Sequence, residues 1–304
     1  MPNFSPVKPL VMRKILIIAF VFLSPVLKGQ DTTMLSILND SMDTHIQHHV
    51  VQGTFDGVYL INSETVETPP RRTLLLLIMH RFGQVNTGAY NFFGLDFATM
   101  RLGFEYGITD RLSVGIGRST LDKTFDSHFK WKFFQQKTGL GGFPFTMDLF
   151  GGLYYTTLRS IDSVKWSAGL RTSTAVSLIM ARKMSGSFSL QLTPSWVRYT
   201  LLPISPEKLN LYNLGLGARL KVTKRMDFQA EYNYVLSGQD SPFKRYNSLS
   251  MGVDFVTGGH VFQLQLSNSE GMIAPAFIGK TTDSWTKGGI FFGFNISRAF
   301  QMGK

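Results

Sequence analysis

Met100-Arg101-Leu102-Gly103-Phe104-Glu105-Tyr106-Gly107-Ile108-Thr109 alternates without a break. Met100, Leu102, Phe104, Tyr106 and Ile108 fall on one side of an extended chain, Arg101, Gly103, Glu105, Gly107 and Thr109 on the other. Side chains of a strand point to opposite faces in turn, so this is a β-strand with one wholly apolar face. The pattern recurs in Phe129, Trp131, Phe133 against His128, Lys130, Lys132, and in Leu214, Leu216, Ala218, Leu220 against Gly215, Gly217, Arg219, Lys221. Met226, Phe228, Ala230, Tyr232, Tyr234 oppose Asp227, Gln229, Glu231, Asn233. Leu249, Met251, Val253, Phe255 oppose Ser250, Gly252, Asp254, and Ile290, Phe292, Phe294, Ile296 oppose Gly293, Asn295, Ser297.

Extending this reading predicts twelve strands, near 72–83, 100–109, 112–120, 124–135, 144–157, 169–182, 187–199, 211–223, 226–236, 247–257, 260–268 and 288–300. The connections between them alternate long and short, as in barrels with short periplasmic turns and long outer loops. Two break the rule: 121–123 is too short for an outer loop and 136–143 too long for a turn. A soluble β-sandwich also alternates, but its strands are about five or six residues, whereas most here are long enough for a tilted bilayer crossing. Tyr106, Trp131, Tyr154, Tyr155, Trp196, Tyr232 and Tyr234 are placed as an interfacial aromatic girdle. The expected fold is all-β, an antiparallel up-and-down transmembrane β-barrel spanning 72–304.

The rest of the composition fits an exported chain. Lys8, Arg13 and Lys14 precede the apolar run Ile15 to Leu23, followed by Pro25, Lys28, Gly29 and Gln30, the layout of a signal peptide over 1–29. Its apolar run is far short of the roughly 20 residues of a spanning helix. Residues 1–30 hold four basic residues and no acidic one, so their removal lowers the net charge from +11 to +7. The 304 residues include no cysteine, which excludes disulfides, thiol nucleophiles and cysteine-held metals. Residues 30–71 form an N-terminal periplasmic segment or plug, set off by Pro69 and Pro70. The alternating aromatic strand near the C-terminus, Phe291 to Phe300, is of the kind that outer-membrane assembly machinery engages.

Thr54, Phe55, Leu60 to Asn62, Val66-Glu67, His80-Arg81-Phe82-Gly83, Asn91, Gly94-Leu95-Asp96, Met100 to Gly103 and Tyr106 to Arg111 together resemble a Bacteroidota family of uncharacterised outer-membrane β-barrel proteins, a domain-of-unknown-function family. The likeness is strongest over 50–135. It departs at Ser63, where the family pattern has the glycine of an Asn-Gly turn, and at Leu75 to Met79, which is more apolar than the pattern. The resemblance implies a barrel in the outer membrane of a Gram-negative bacterium, in contact with outer-membrane lipid, and no assigned activity.

Candidate functional residues are sparse. The lumen is read as lined by Arg101, Lys130, Lys132, Arg219 and Lys221 against Glu105, Asp148, Asp227, Glu231 and Asp254. Five charges of each sign either line an aqueous path or pair and fill it. His80, Arg81, Asn91 and Asp96 are placed at the outer mouth as a ligand contact or as a loop tie through Arg81 and Asp96. His45, His48 and His49 sit at near-helical spacing with Asp40 and Asp43; a solvated polar face is the plainer reading than a metal site, and no metal or other cofactor is expected. Ser113, Ser119 and His128, on neighbouring strands, could be placed as a lipid-hydrolase constellation. They face inward, no Gly-x-Ser-x-Gly elbow exists, and no enzyme is expected. Gly115-Ile116-Gly117 and Gly215-Leu216-Gly217 lie in alternating strands rather than before helices, so phosphate loops are excluded. Scattered basic residues and the compartment argue against nucleic acid. The expected role is passage or binding of a small solute through a narrow or gated lumen. Its rivals are a closed barrel anchoring residues 30–71 to a periplasmic partner, and a membrane-embedded hydrolase.

Overall fold

The alternating segments close into a ring of twelve antiparallel strands in the computed structural model of the chain, which describes residues 49–139, 141–159, 165–200, 208–238 and 243–303. The strands are β1 (Thr73–Gln84), β2 (Ala98–Thr109), β3 (Leu112–Ser119), β4 (Thr124–Phe134), β5 (Thr146–Thr156), β6 (Thr172–Lys183), β7 (Phe188–Thr200), β8 (Lys208–Lys221), β9 (Met226–Gly238), β10 (Ser248–Thr257), β11 (His260–Ser267) and β12 (Phe291–Gln301). Neighbours in sequence pair in the sheet, and β12 pairs with β1 from Phe291↔Gln84 to Gln301↔Thr73 to close the ring. The chain divides into two units, 1–49 and 50–304. The signal-peptide and His45/His48 readings lie outside the described residues.

Burial is inverted relative to a soluble protein. On β2, Met100, Leu102, Phe104 and Ile108 are exposed while Arg101 and Glu105 are buried. Ile116, Phe125, Phe129, Trp131, Leu153, Tyr155, Phe228 and Phe255 continue the exposed apolar belt around the ring. A closed sheet with its polar face in and its apolar face out is the arrangement that suits hydrocarbon, because every ladder N–H and C=O is paired between strands. No described helix is long and apolar enough to cross a membrane. Tyr154 departs from the expected girdle. It shares the inward face with Phe150 and is buried, since its parity on β5 is that of Asp148 and not of Tyr155.

Both misfit connections have structural reasons. The short one, 120–123, bends through Asp122 and Lys123 at positive φ. It is tied down by Lys280, which pairs with Asp122, and by the Thr156 hydroxyl donating to the Asp122 carbonyl at 2.6 Å. The long one holds the incoming chain: the Val51 N–H donates to the Gln136 carbonyl at 2.9 Å. The Gln136 side chain in turn bridges to Lys183, donating to its carbonyl at 3.0 Å and accepting from its N–H at 2.8 Å.

Residues 53–66 do not leave the barrel; they fill it. Phe55, Leu60 and Val66 pack on Phe150 of β5 and on Ile179 and Ala181 of β6. Val58 packs on Leu75 and Leu77 of β1. The apolar run Leu75 to Met79 is thus explained: its inward members cover the segment instead of facing water. At its far end the chain leaves past Pro69 and Pro70, where the Arg71 N–H and the Thr68 hydroxyl bond to Asp110 at 2.9 Å each. Gly107 makes this exit possible, because a Cβ there would lie 2.2 Å from the Pro70 carbonyl oxygen. Gly107→Val is therefore expected to push the 68–72 strap off the barrel at a cost of about 1–3 kcal/mol. Limited proteolysis should show new cleavage between Thr68 and Arg72 in the folded variant and none there in the wild type.

The opposite end is closed by the connection after β11. Its helix α1 (Ala274–Gly279) is buried over Pro275 to Gly279. Ile273, Ala276, Phe277 and Ile278 pack on Tyr154, Ala175, Val197, Tyr199, Leu209 and Leu211. Tyr199 also donates to the Gly279 carbonyl at 2.8 Å.

Candidate functional site

Residues 58–65 turn back on themselves, with Leu60 N–H donating to the Ser63 carbonyl and Thr65 N–H to the Val58 carbonyl, both at 2.9 Å. The tip of this hairpin, Leu60-Ile61-Asn62-Ser63, is held almost entirely by wall side chains. The Glu231 carboxylate of β9 accepts from the N–H groups of Ile61, Asn62 and Ser63 at 3.3, 3.0 and 3.0 Å. Arg81 of β1 donates to the Asn62 side-chain oxygen at 2.7 Å, and the Asn62 amide donates to Ser250 at 3.0 Å. Gln263 and Asn295 donate to the Leu60 and Ile61 carbonyls. Ser63 stands where an Asn-Gly turn was expected, and its hydroxyl takes a 3.4 Å bond from Asn233. Leu60 rests on Gly217, where a Cβ would come within 2.3 Å of its Cδ1.

Two further clusters grip the hairpin arms. Lys130 of β4 lies 3.0 Å from Glu64 and 3.6 Å from Glu105, and His128 lies 4.0 Å from Glu64. Arg219 of β8 lies 3.5 Å from Asp56 and 3.6 Å from Asp227, and Lys221 lies 3.7 Å from Asp56. Lys132 reaches the Thr68 hydroxyl at 3.3 Å. Asp254 accepts from Gln229 and Gln263, while Asp148 is fully buried with neither carboxylate oxygen hydrogen-bonded. Arg101 turns to Asp126, a doubly hydrogen-bonded buried pair at 2.5 and 3.0 Å. Of the ten charged residues read as lumen-lining, nine are buried inside the ring, Lys221 is half-buried, and Asp126 is an eleventh that shares the parity of His128 and Lys130.

The expected outer-mouth group is not one site. Arg81 points into the barrel and is fully buried on Asn62 and Asn295. His80 points the other way and stacks on Phe294 with centroids 4.8 Å apart. Asn91 and Asp96 sit in the connection after β1, and Asp96 is exposed, so it does not pair with Arg81. Neighbouring residues on a strand face opposite sides, which separates His80 from Arg81. The hydrolase constellation is not assembled: Ser113 donates its hydroxyl to Glu105 at 2.7 Å, and its cross-strand partner is Lys130. Gly115 stands opposite His128, and its missing Cβ makes room for the imidazole.

Between the hairpin tip and α1 lies a chamber of about 40 Å³, lined by Asn62, Glu64, Arg101, Asp126 and His128 below and by Ile273 and Phe277 above. A site of that size holds a few waters and no organic solute. Among the described residues, the hairpin and α1 both lie packed against the inner wall of the ring. Among the described residues, no group of three His, Asp or Glu side chains is placed to hold a metal ion.

Burial raises the carboxyls of Asp56 and Glu64, but opposing contacts outweigh it. Asp227, Arg219 and Lys221 act on Asp56; Lys130, His128 and the Tyr59 hydroxyl act on Glu64; both carboxyls end below the ordinary carboxylate range. A group depressed on docking contributes stability above its free pKa and loses it as pH falls through the docked value. The share of the hairpin's protection from protease that these two carboxylates supply is therefore expected to be lost only below about pH 4. The Asp56→Asn, Glu64→Gln double variant should be less protected at neutral pH and should lose that acid-dependent decline.

No curated protein matches the chain. Among solved structures, the NanC porin shares 7% identity at a TM-score of 0.46, with 75% of this chain and 98% of that chain covered. An outer membrane channel from Pseudomonas putida F1 shares 12% at 0.41, covering 77% and 98%. The Acinetobacter baumannii outer membrane protein Omp33 shares 8% at 0.40, covering 78% and 100%. These are likenesses of fold. The model of the membrane bound beta barrel domain (DUF5777) matches residues 55–300, from the first residues of the hairpin to the last strand, and the chain belongs to that family.

Proposed function

We propose that the protein is an outer-membrane barrel for the passage or binding of a small polar solute, and that the 53–66 hairpin is its gate, here in the closed position. The observation that carries this reading is the chemistry of the hairpin's seat. Its tip is held by charged and amide side chains of the wall (Glu231, Arg81, Gln263, Asn295, Asn233), which water or a polar solute can satisfy equally well once the hairpin withdraws. A plug meant only to seal needs apolar packing alone, whereas polar contacts exchange with water at small net cost. Planar-bilayer recording on the refolded mature chain, confirmed as folded by its heat-dependent gel shift, tests it. Rare openings, made frequent by hairpin variants, support the gate. Silence from folded hairpin variants overturns it.

A second reading rests on the small chamber above the hairpin: a permanently closed barrel that anchors the N-terminal segment, residues 30–71, to a periplasmic partner. It predicts that hairpin variants change partner binding and leave the barrel silent.

A further inference from the structure

Among the described residues, the connection between β1 and β2 presents the most exposed apolar surface outside the strands. Tyr90 is 95% exposed, Phe92 62% and Phe97 57%, with Phe93, Leu95 and Val85 beside them. Residues 85–97 contain no basic residue and one acidic residue, Asp96. Phe92 and Phe93 are held at φ +46° and +54°, a conformation that bulky residues adopt only when the surroundings impose it. What imposes it is a compact backbone. Gly83 N–H donates to the Phe97 carbonyl, Phe93 N–H to Gly88, Leu95 N–H to Phe92 and Phe97 N–H to Gly94, all between 2.8 and 3.2 Å. Gly94, at φ +89°, is required, since a Cβ there would sit 2.5 Å from the Gly83 carbonyl oxygen. The base is fixed to the last connection by Gln84 to Asp283 at 2.7 Å and by Val85 N–H to the Ile290 carbonyl at 2.8 Å.

We propose that this loop is a membrane anchor: its aromatic tip lies in the acyl-chain boundary of the outer leaflet beside the barrel. Three observations favour lipid over a protein partner. The loop runs directly into the lipid-facing row of β2, where Met100, Leu102 and Phe104 are exposed. The N–H groups of Phe93, Leu95 and Phe97 bond within the loop and that of Val85 to the Ile290 carbonyl, which lowers the cost of entering a low-dielectric phase. The loop's one charged residue is Asp96, and its Asn86 and Thr87 side chains are turned back onto the Lys287 and Gln84 carbonyls, whereas a protein interface carries a charged polar rim and Tyr is a residue enriched at bilayer boundaries. The loop leaves the barrel at the end opposite the 68–72 strap, the end that carries the long connections. The proposal does not depend on whether the lumen opens.

The chain contains no cysteine, so a single introduced thiol is a unique label site. Tyr90→Cys and Phe92→Cys, each carrying a bimane fluorophore, would be refolded into phosphatidylcholine vesicles with or without bromine on the upper acyl chain. Lys224→Cys, exposed in the tight turn at the other end, is the reference. The loop labels are expected to lose about half of their emission to brominated lipid, as suits a group some 5–10 Å below the headgroup boundary, and the reference almost none. Tyr90 packs against nothing, so Tyr90→Cys reads out even if Phe92→Cys fails to fold. Unquenched loop labels on folded barrels would overturn the proposal, as would quenching lost on forming a sedimenting dimer, which would make a second copy the occupant.

Discussion

Replacing residues 55–66 with a short glycine–serine linker is expected to turn a barrel that opens rarely into one that conducts persistently in discrete steps. In the closed state the hairpin occupies the ring from Phe55, against Phe150 and Ile179, to its tip on Gly217 and Glu231. The chamber left between that tip and α1 measures about 40 Å³. Twelve strands lie between the eight that side chains just fill and the sixteen to eighteen of open porins, so removing a dozen residues leaves an aqueous path. The wall exposed would carry Lys130 without Glu64, and Arg219 and Lys221 without Asp56. The connection with α1 stays, so a narrow path is expected, widened by a second deletion over 272–279. Folded barrels of both variants that pass no current would refute the gate and leave the anchor reading. Since part of the inner face is apolar (Leu75, Leu77, Ile179), the variant must first pass the heat-shift test for folding, and Leu60→Asp, which leaves the chain length intact, serves as a milder second probe.

The barrel was legible because a strand exposed to lipid on one side and to a polar interior on the other writes its geometry into every second residue. All twelve strands stand where the alternation of residues such as Met100 to Thr109 put them, with ends displaced by a few residues. Residues 169–171 were read into β6 but form a helical turn capped by the Ser167 hydroxyl, which accepts from the Leu170 N–H at 3.3 Å. The hairpin was not legible in the same way. Val58-Tyr59-Leu60-Ile61 is apolar throughout, because a segment enclosed on all sides has no polar face to alternate with. A signal did exist on the opposing surface: Leu75, Leu77, Met79, Phe150, Ile179 and Ala181 are apolar at inward parity, and an apolar inward row implies something packed on it. Asp126 was likewise readable from its parity with His128, whereas Glu64 could be placed only once the hairpin was. The outer-mouth grouping failed on the simplest rule of strands, since His80 and Arg81 are adjacent and so face apart.

Glu231→Ala is expected to release the hairpin tip without disturbing the ring. The carboxylate accepts three backbone N–H groups, those of Ile61, Asn62 and Ser63, and all of them lie in the interior. Its removal leaves those donors facing a small void, at a cost of about 1 kcal/mol or more each, hence roughly 3 kcal/mol and a hundredfold shift toward the undocked state. The β9 ladder is untouched, because residue 231 pairs with Gly217 and Ser250 through its backbone. Hydrogen exchange followed by mass spectrometry separates the two parts of the molecule. Peptides covering 58–66 should exchange about a hundredfold faster in the variant, while those from β2 and β9 stay protected. Glu231→Gln keeps the volume and one acceptor oxygen, and should fall between the two. Equal protection of 58–66 in wild type and Glu231→Ala would mean that the apolar contacts of Phe55, Leu60 and Val66 hold the hairpin by themselves, and that the carboxylate is not the latch.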